Sequence, residues 1–405
     1  MMKHYLLLVI PLLGFGQTQS VLNVATADLV YSQVSNKIYA TIPGASVANA
    51  NTIAVIAPAT AALENTYPIG IDPEVLAISA DGQIIYVSLK GSSSVRKFTV
   101  ATNTPGAEFS LGSDTTTGMC YAEDIQVMPS NSNTVAIAMR NHNYAPKHEG
   151  VAIFDNGVMR QLVTNSQNGA NRIAFSASNK LFGLNNESSE RKIRIVDIVT
   201  TGADEYGGFS PAQFGKPQSF FLAGGNAFFS NGKVMNVASN TIIATINDVD
   251  GPATQIDANT VCYASTSSAG ATTLRFYSID GTPLGSFDVT QATGRALNVI
   301  SCGSGCVALN TPTQVIVVNN LLSSPSFEND RVSIYPNPVG GQLNISAPEE
   351  VQAVAIYDLA GKKVLMQANI DRRNPAIDAS ALAPGSYLVT ISTAGGSISK
   401  KIIKL

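Results

Sequence analysis

The sequence predicts an all-β protein, a β-propeller of seven blades followed by a small β-sandwich, and three observations carry that prediction. Strand-like apolar runs alternate with turns rich in Gly, Asn, Asp and Ser, and no window keeps apolar positions at helical spacing for more than a turn or two. Charged residues are 13% of the 405 positions, against roughly 25% in ordinary soluble domains, while hydrophobic residues reach 45% and Gly numbers 33. That composition suits a chain of short strands and tight turns. A strand–turn–strand opening also recurs at the spacing of four-stranded blades.

At the N-terminus Lys3 and His4 precede an apolar run from Leu6 to Phe15 that ends in Gly14-Phe15-Gly16. This is the pattern of a secretory signal peptide over residues 1–16, with cleavage expected near Gly16/Gln17. The run is about half of the ~20 residues that a membrane-spanning helix needs. No cysteine lies near the cut to accept a lipid, and no later stretch is long and apolar enough to serve as a transmembrane anchor. The expectation is Sec export to the periplasm and a soluble mature chain.

The propeller is read over residues 17–322. Its clearest unit starts at Glu74: Val75–Ser79, a turn at Ala80-Asp81-Gly82-Gln83, then Ile84–Ser88, then Ser94–Val100 and a last strand through Phe109. Asp-Gly between alternating apolar runs is a strong hairpin signal. The opening recurs at Asp28, Asp124, Arg172, Gln218, Ala253 and Ala296, so successive starts differ by 46, 50, 48, 46, 35 and 43 residues, a shortened fifth blade among seven. The last blade runs out of strands after Gln314–Val318. Ser20–Ala25, behind the signal, is a spare strand able to complete it, which matters because an open edge leaves backbone donors and acceptors unpaired.

Leu76-Ala77-Ile78-Ser79-Ala80-Asp81-Gly82, followed by Ile85-Tyr86-Val87-Ser88, resembles the repeat core of YVTN-type propellers; Tyr39-Ala40 and Phe182-Gly183 hold the matching place more loosely. The resemblance implies the fold and no particular activity, since propellers host many functions.

A polar, Pro-bearing stretch at residues 323–331 reads as a linker. From Val332 to Leu405 a second β unit follows. Tyr335-Pro336-Asn337-Pro338, Leu343-Asn344-Ile345, Ala355–Val364 with its turn at Gly361, Ala383-Pro384-Gly385-Ser386-Tyr387 and a final Lys400-Lys401 run arrive in that order. Taken singly these are turns and alternating strands of a small immunoglobulin-like sandwich. Together, at the C-terminus behind a signal peptide, they resemble a type A sorting domain of type IX secretion. That resemblance implies contact with the type IX machinery, passage across the outer membrane, removal of the domain, and a propeller released or held at the outer cell surface of a Bacteroidota-type source.

Four cysteines occur, and Cys302-Gly303-Ser304-Gly305-Cys306 falls where the first hairpin turn of blade seven belongs. A disulfide there would clip the turn and contribute roughly 2 kcal/mol in the chain-entropy model; Cys262 is a rival partner and Cys120 has no evident mate. Net charge is -3 with no basic run, which removes the electrostatic footing of nucleic-acid binding. Behind the signal only His142 and His148 remain, too few for a three-His zinc site, and no G-x-S-x-G nucleophile elbow occurs. No metal site is expected and the cofactor is unknown.

The candidate site comes from propeller geometry, in which loops between strands two and three of a blade share a face with the loops entering each blade. Arg140–Glu149 holds both histidines, two cations and an aromatic in ten residues. Blade order puts Glu123 and Asp124 beside it, with Asn171, Arg172 and Asn185-Asn186-Glu187 from blade four. This group reads either as a ligand site or as a solvated loop held by its own hydrogen bonds. Three functions stay open: a monomeric binding or scaffold module for a surface glycan, peptide or protein; a lactonase-like or other hydrolase with a carboxylate-held metal; and a passive surface or adhesive protein. Convergence of Glu123, Asp124, His142 and His148 discriminates the second from the first.

Overall fold

The computed structural model describes residues 17–321 and 332–405, apart from 115, 146, 167–168, 188–191, 212–213, 348–349, 359–360 and 394–395. The expected signal peptide and linker therefore lie outside the described residues. The chain divides into two compact units, one holding the described residues 17–321 and the other the described residues 332–405.

In the first unit each recurrent opening becomes the inner hairpin of an antiparallel sheet. Blade 1 is built from Leu29–Ser32, Lys37–Ile42, Thr52–Ile56 and Leu63–Pro68, and blade 2 from Pro73–Ile78, Ile84–Leu89, Ser94–Thr99 and Thr104–Ser110. Blades 4, 5 and 6 begin at Arg172, Phe220 and Ala253. Blade 5 is short because its first three strands have four residues each and its turns are tight. Blade 3 departs from the four-strand pattern. Its outermost strand, Val158–Met159, has two residues, and Leu162 continues the chain by bonding with the outer edge of blade 4.

Blade 7 takes three strands from Asn298–Ser301, Val307–Asn310 and Val315–Asn319, and its fourth from Thr18–Leu22, two residues earlier than the sequence pattern suggested. Thr18 pairs with Asn319 and Leu22 with Val315, antiparallel. Seven apolar clusters lie between consecutive blades, and one of them joins blade 7 to blade 1 through Leu29, Ile38, Ala40, Ala308, Val315 and Val317. The ring is closed both by strand pairing and by burial.

The Asp-Gly turn of blade 2 shows how the local sequence fixes the geometry. Ser79 Oγ and the Gln83 amide both donate to Asp81 Oδ1 (2.5 and 3.1 Å), Gly82 adopts φ 69°, and Ser132 Oγ of blade 3 donates to Asp81 Oδ2 at 2.9 Å. These bonds hold the Asp81 carboxyl below its ordinary value. A turn residue therefore also ties two blades together.

The second unit is a sandwich of a three-stranded sheet (Ser333–Tyr335, Gln342–Ser346, Ala376–Asp378) and a four-stranded one (Lys363–Arg372, Val351–Tyr357, Gly385–Thr393, Gly396–Lys404). Its core is Leu343, Ile345, Val354, Ile356, Ile377, Val389 and Ile391. Asn337 clasps the last strand, donating to the Lys401 carbonyl (3.1 Å) and accepting from the Ile403 amide (2.9 Å). Tyr387 Oη donates to the Ala383 carbonyl across the Pro384-Gly385 turn at 2.8 Å, and the Gly361 amide closes a turn onto the Asp358 carbonyl.

Candidate functional site: the charged mouth of the channel

Strand registers align the blades. Leu29, Leu76, Ile125 and Ile173 each pair with the fourth residue of their blade's second strand: Ala40, Val87, Ile137 and Gly183. The residues just before them, Asp28, Val75, Asp124 and Arg172, therefore stand at one level around the channel, and Asn298 stands there in blade 7, where Val299 pairs with Leu309. This level lines a cavity of about 1040 Å³.

The two aspartates join neighbouring blades. Asp28 accepts from its own neighbour Leu29 N (2.8 Å), from Leu76 N of blade 2 (2.9 Å) and from Asn298 Nδ2 of blade 7 (2.6 Å). Asp124 accepts from Ile173 N of blade 4 at 2.8 Å, the equivalent position one blade on from its own. Both residues are only partly exposed and their carboxyl groups are enclosed. Burial raises both carboxyls above their ordinary value, that of Asp124 to about 6, even though the Arg172 charge and the amide donors pull the other way.

Glu123 sits in a bulge, where the register shifts between Ala122 and Asp124. A bulge re-aims a side chain, and here it lets consecutive residues serve different partners. Glu123 Oε1 meets Arg140 Nη1 at 2.8 Å, Glu123 Oε2 accepts from Asn171 Nδ2 at 3.0 Å, and its carbonyl accepts from Arg172 Nη1 at 2.8 Å. Arg140 also reaches Glu187 at 2.6 Å. Burial works against the Arg140 charge, but the two carboxylates outweigh it and hold the guanidinium above its ordinary value. Lys90 pairs with Glu74 at 2.7 Å and lies 5.7 Å from the Tyr121 ring, and Arg295 pairs with Asp250 at 2.9 Å.

Of the residues singled out in the sequence, Glu123, Asp124, Arg140 and Arg172 line the cavity. Asn171 is fully buried and acts through Glu123. Asn186 donates to the Gln218 carbonyl, tying the blade 4 loop to the entry of blade 5. The histidines do not join the group. His142 is exposed and packs tilted against Tyr121, with ring centroids 4.3 Å apart, whereas His148 is buried in the strand opposite Arg140. The loop between them is organised by Asn141, which donates to Lys147 O and Glu149 Oε1 and accepts from the Asn143 and Tyr144 amides. Among the described residues no three His, Cys, Asp or Glu side chains are grouped to hold a metal ion, so the carboxylate–imidazole centre of the hydrolase reading is not assembled there.

Asp28, Glu74, Lys90, Tyr121, Arg295 and Asn298 also line the cavity and were not singled out as site residues. A signal was available. Asp28 and Glu74 are the blade-opening positions of the repeat itself, and those positions face the channel.

Cys302 and Cys306 form a disulfide across the first hairpin turn of blade 7, while Cys120 and Cys262 are buried and lie outside that bridge. Burial pushes the Cys262 thiol upward, away from reactivity.

Residues 333–405 match the family model of the secretion system C-terminal sorting domain. No curated protein matches the chain in sequence. Solved structures similar to the propeller include the β-propeller domain of Cps50 (Swd1) from Myceliophteria thermophila, with TM-score 0.53 over 74% of this chain and 99% of that one. They also include U3-55K (TM-score 0.53, 74% and 98%) and the WD40 repeats of RRP9 (TM-score 0.55, 74% and 97%). Identity is 10% in each case, so the likeness is one of fold. The C-terminal sorting domain marks the chain for secretion or the cell surface, and no helix among the described residues is long and apolar enough to cross a membrane.

Proposed function

We propose that the protein is an exported binding module, in which the charged mouth of the propeller channel takes a polar ligand bearing both positive and negative groups, as a peptide segment does. The observation that carries this reading is the lining of the cavity: Asp28, Glu74, Glu123 and Asp124 share one concave space with Lys90, Arg140, Arg172 and Arg295. Ligand sites are concave with a few polar groups fixed in advance. Here the pairs are fixed by strand register and by mutual ion pairing, so a ligand meets an organised surface. The type IX machinery is the partner of the C-terminal unit, residues 1–16 are the export signal, and the Leu76–Ser88 core supports a YVTN-type repeat.

The test is a panel of short peptides of mixed charge, titrated by calorimetry against the chain and its Lys90→Gln/Arg140→Gln variant. Binding that weakens at least tenfold in the variant supports the reading. Peptides that bind neither protein, or bind both equally, would refute it.

A further inference from the structure

The first strand of each blade runs along the channel, so the residues that end these strands form the other mouth, and its chemistry differs from that of the charged one. A cavity of about 850 Å³ lies there, lined by Val30, Tyr31, Ile78, Gln255, Ile300, Ser301 and the hairpin turns that follow them. Among the described residues it has one aromatic ring, Tyr31, two amides, Gln33 and Gln255, and the hydroxyls of Thr254, Ser301 and Ser304. Among the described residues Asp257 is also its one carboxylate, and no Lys or Arg lines it.

We propose that this second mouth is a binding site for neutral saccharides, separate from the charged mouth and independent of the reading given for it. A neutral sugar presents hydroxyls that both donate and accept, together with apolar C–H faces. Primary amides and a carboxylate match the first, and an aromatic ring over aliphatic side chains matches the second. A phosphorylated or uronic ligand would find no cation there and one like charge, which disfavours it.

The rim is built to hold its shape. The Cys302–Cys306 disulfide closes the turn that carries Gly303 and Ser304. Gly303 has φ 109°, and a Cβ at that position would stand 3.2 Å from Tyr31 Oη, so glycine permits the turn to lie against the ring edge. Tyr31 Oη in turn donates to Asn36 Oδ1 at 2.8 Å, anchoring the ring to its own hairpin. Preorganisation of this kind lowers the entropy cost of binding.

The experiment uses the full chain and a panel of neutral di- to tetrasaccharides based on glucose, mannose, galactose and N-acetylglucosamine, followed by titration of the strongest. The expected result is saturable binding that falls at least tenfold in Tyr31→Ala and in Gln255→Ala and only a few-fold in Tyr31→Phe, which keeps the ring and loses its bond to Asn36. It is also unchanged in Lys90→Gln/Arg140→Gln, the variant that disables the charged mouth, so the two sites fail separately. Gln255→Ala covers the case in which Tyr31→Ala does not fold. No saccharide binding, preference for uronic over neutral sugars, binding indifferent to Gln255→Ala, or binding lost in the charged-mouth variant would each overturn the proposal.

Discussion

Asp124 is under electrostatic tension, because its enclosed carboxyl holds the Ile173 amide while facing Asp28 and Arg172. Its folded pKa of about 6 lies above the ordinary carboxylate value, so folding favours the neutral form. The resulting stability is fully present below about pH 4 and is lost as pH rises through about 6. Asp124→Asn keeps an acceptor for Ile173 and removes the charge. Wild type should therefore lose roughly 2 to 3 kcal/mol relative to this variant between pH 4 and pH 7.5, read from urea melts. A constant difference across that range would show that the carboxyl is not desolvated. At the second mouth, Cys302→Ser/Cys306→Ser should lower stability by about 2 kcal/mol, the loop-closure value for so short a ring, and an unchanged melt would contradict that. At this scale the sequence was legible where the repeat speaks, as with Glu123, Asp124, Arg140 and Arg172. His142 and His148 were placed beside this group by loop position and blade order, but the bulge at Glu123 and the Asn141-centred loop, which decide what faces the channel, have no sequence pattern of their own.

The blade is the unit in which the sequence speaks most clearly. First strands begin at Leu29, Pro73, Gly118, Arg172, Phe220, Ala253 and Asn298, within two residues of the openings read from hairpin chemistry except in blade 3, whose strand starts six residues before Asp124, and the shortened fifth blade is real. Asp-Gly and Asn-bearing turns impose backbone conformations that few other residues adopt, which is why they mark positions reliably. Outer strands were less legible, because their residues face solvent on one side and lose the apolar alternation. The two-residue outer strand of blade 3 is the example. Ring closure by Thr18–Leu22 makes a direct prediction. A chain starting at Asn23 leaves the Val315–Asn319 edge unpaired and exposes Val317 and Ile316 at the blade 7 rim. Its melting temperature should fall by roughly 10 °C or more, with fast exchange at those amides of Val315–Asn319 that face the missing strand. Exchange as slow as in the intact chain would mean that the strand is dispensable.

Across the whole molecule the two units are built on different plans: a ring whose positions repeat and converge on a channel, and a sandwich whose landmarks hold its own last strand. Asn337 and Tyr387 show why the second unit was legible as a set. Each makes a bond between its motif and the chain's end or an adjacent turn, so the motifs are structural punctuation in a fixed order. The division of labour, in which the C-terminal unit directs export and the propeller binds, is tested most directly by ending the chain after Leu321 and expressing it beside the full chain in cells with the type IX machinery. The full chain should be found outside the cell. The truncated chain should stay in the periplasm, fold with the same propeller melting temperature and bind the same ligands. Export of the truncated chain, or loss of its fold or binding, would contradict the division.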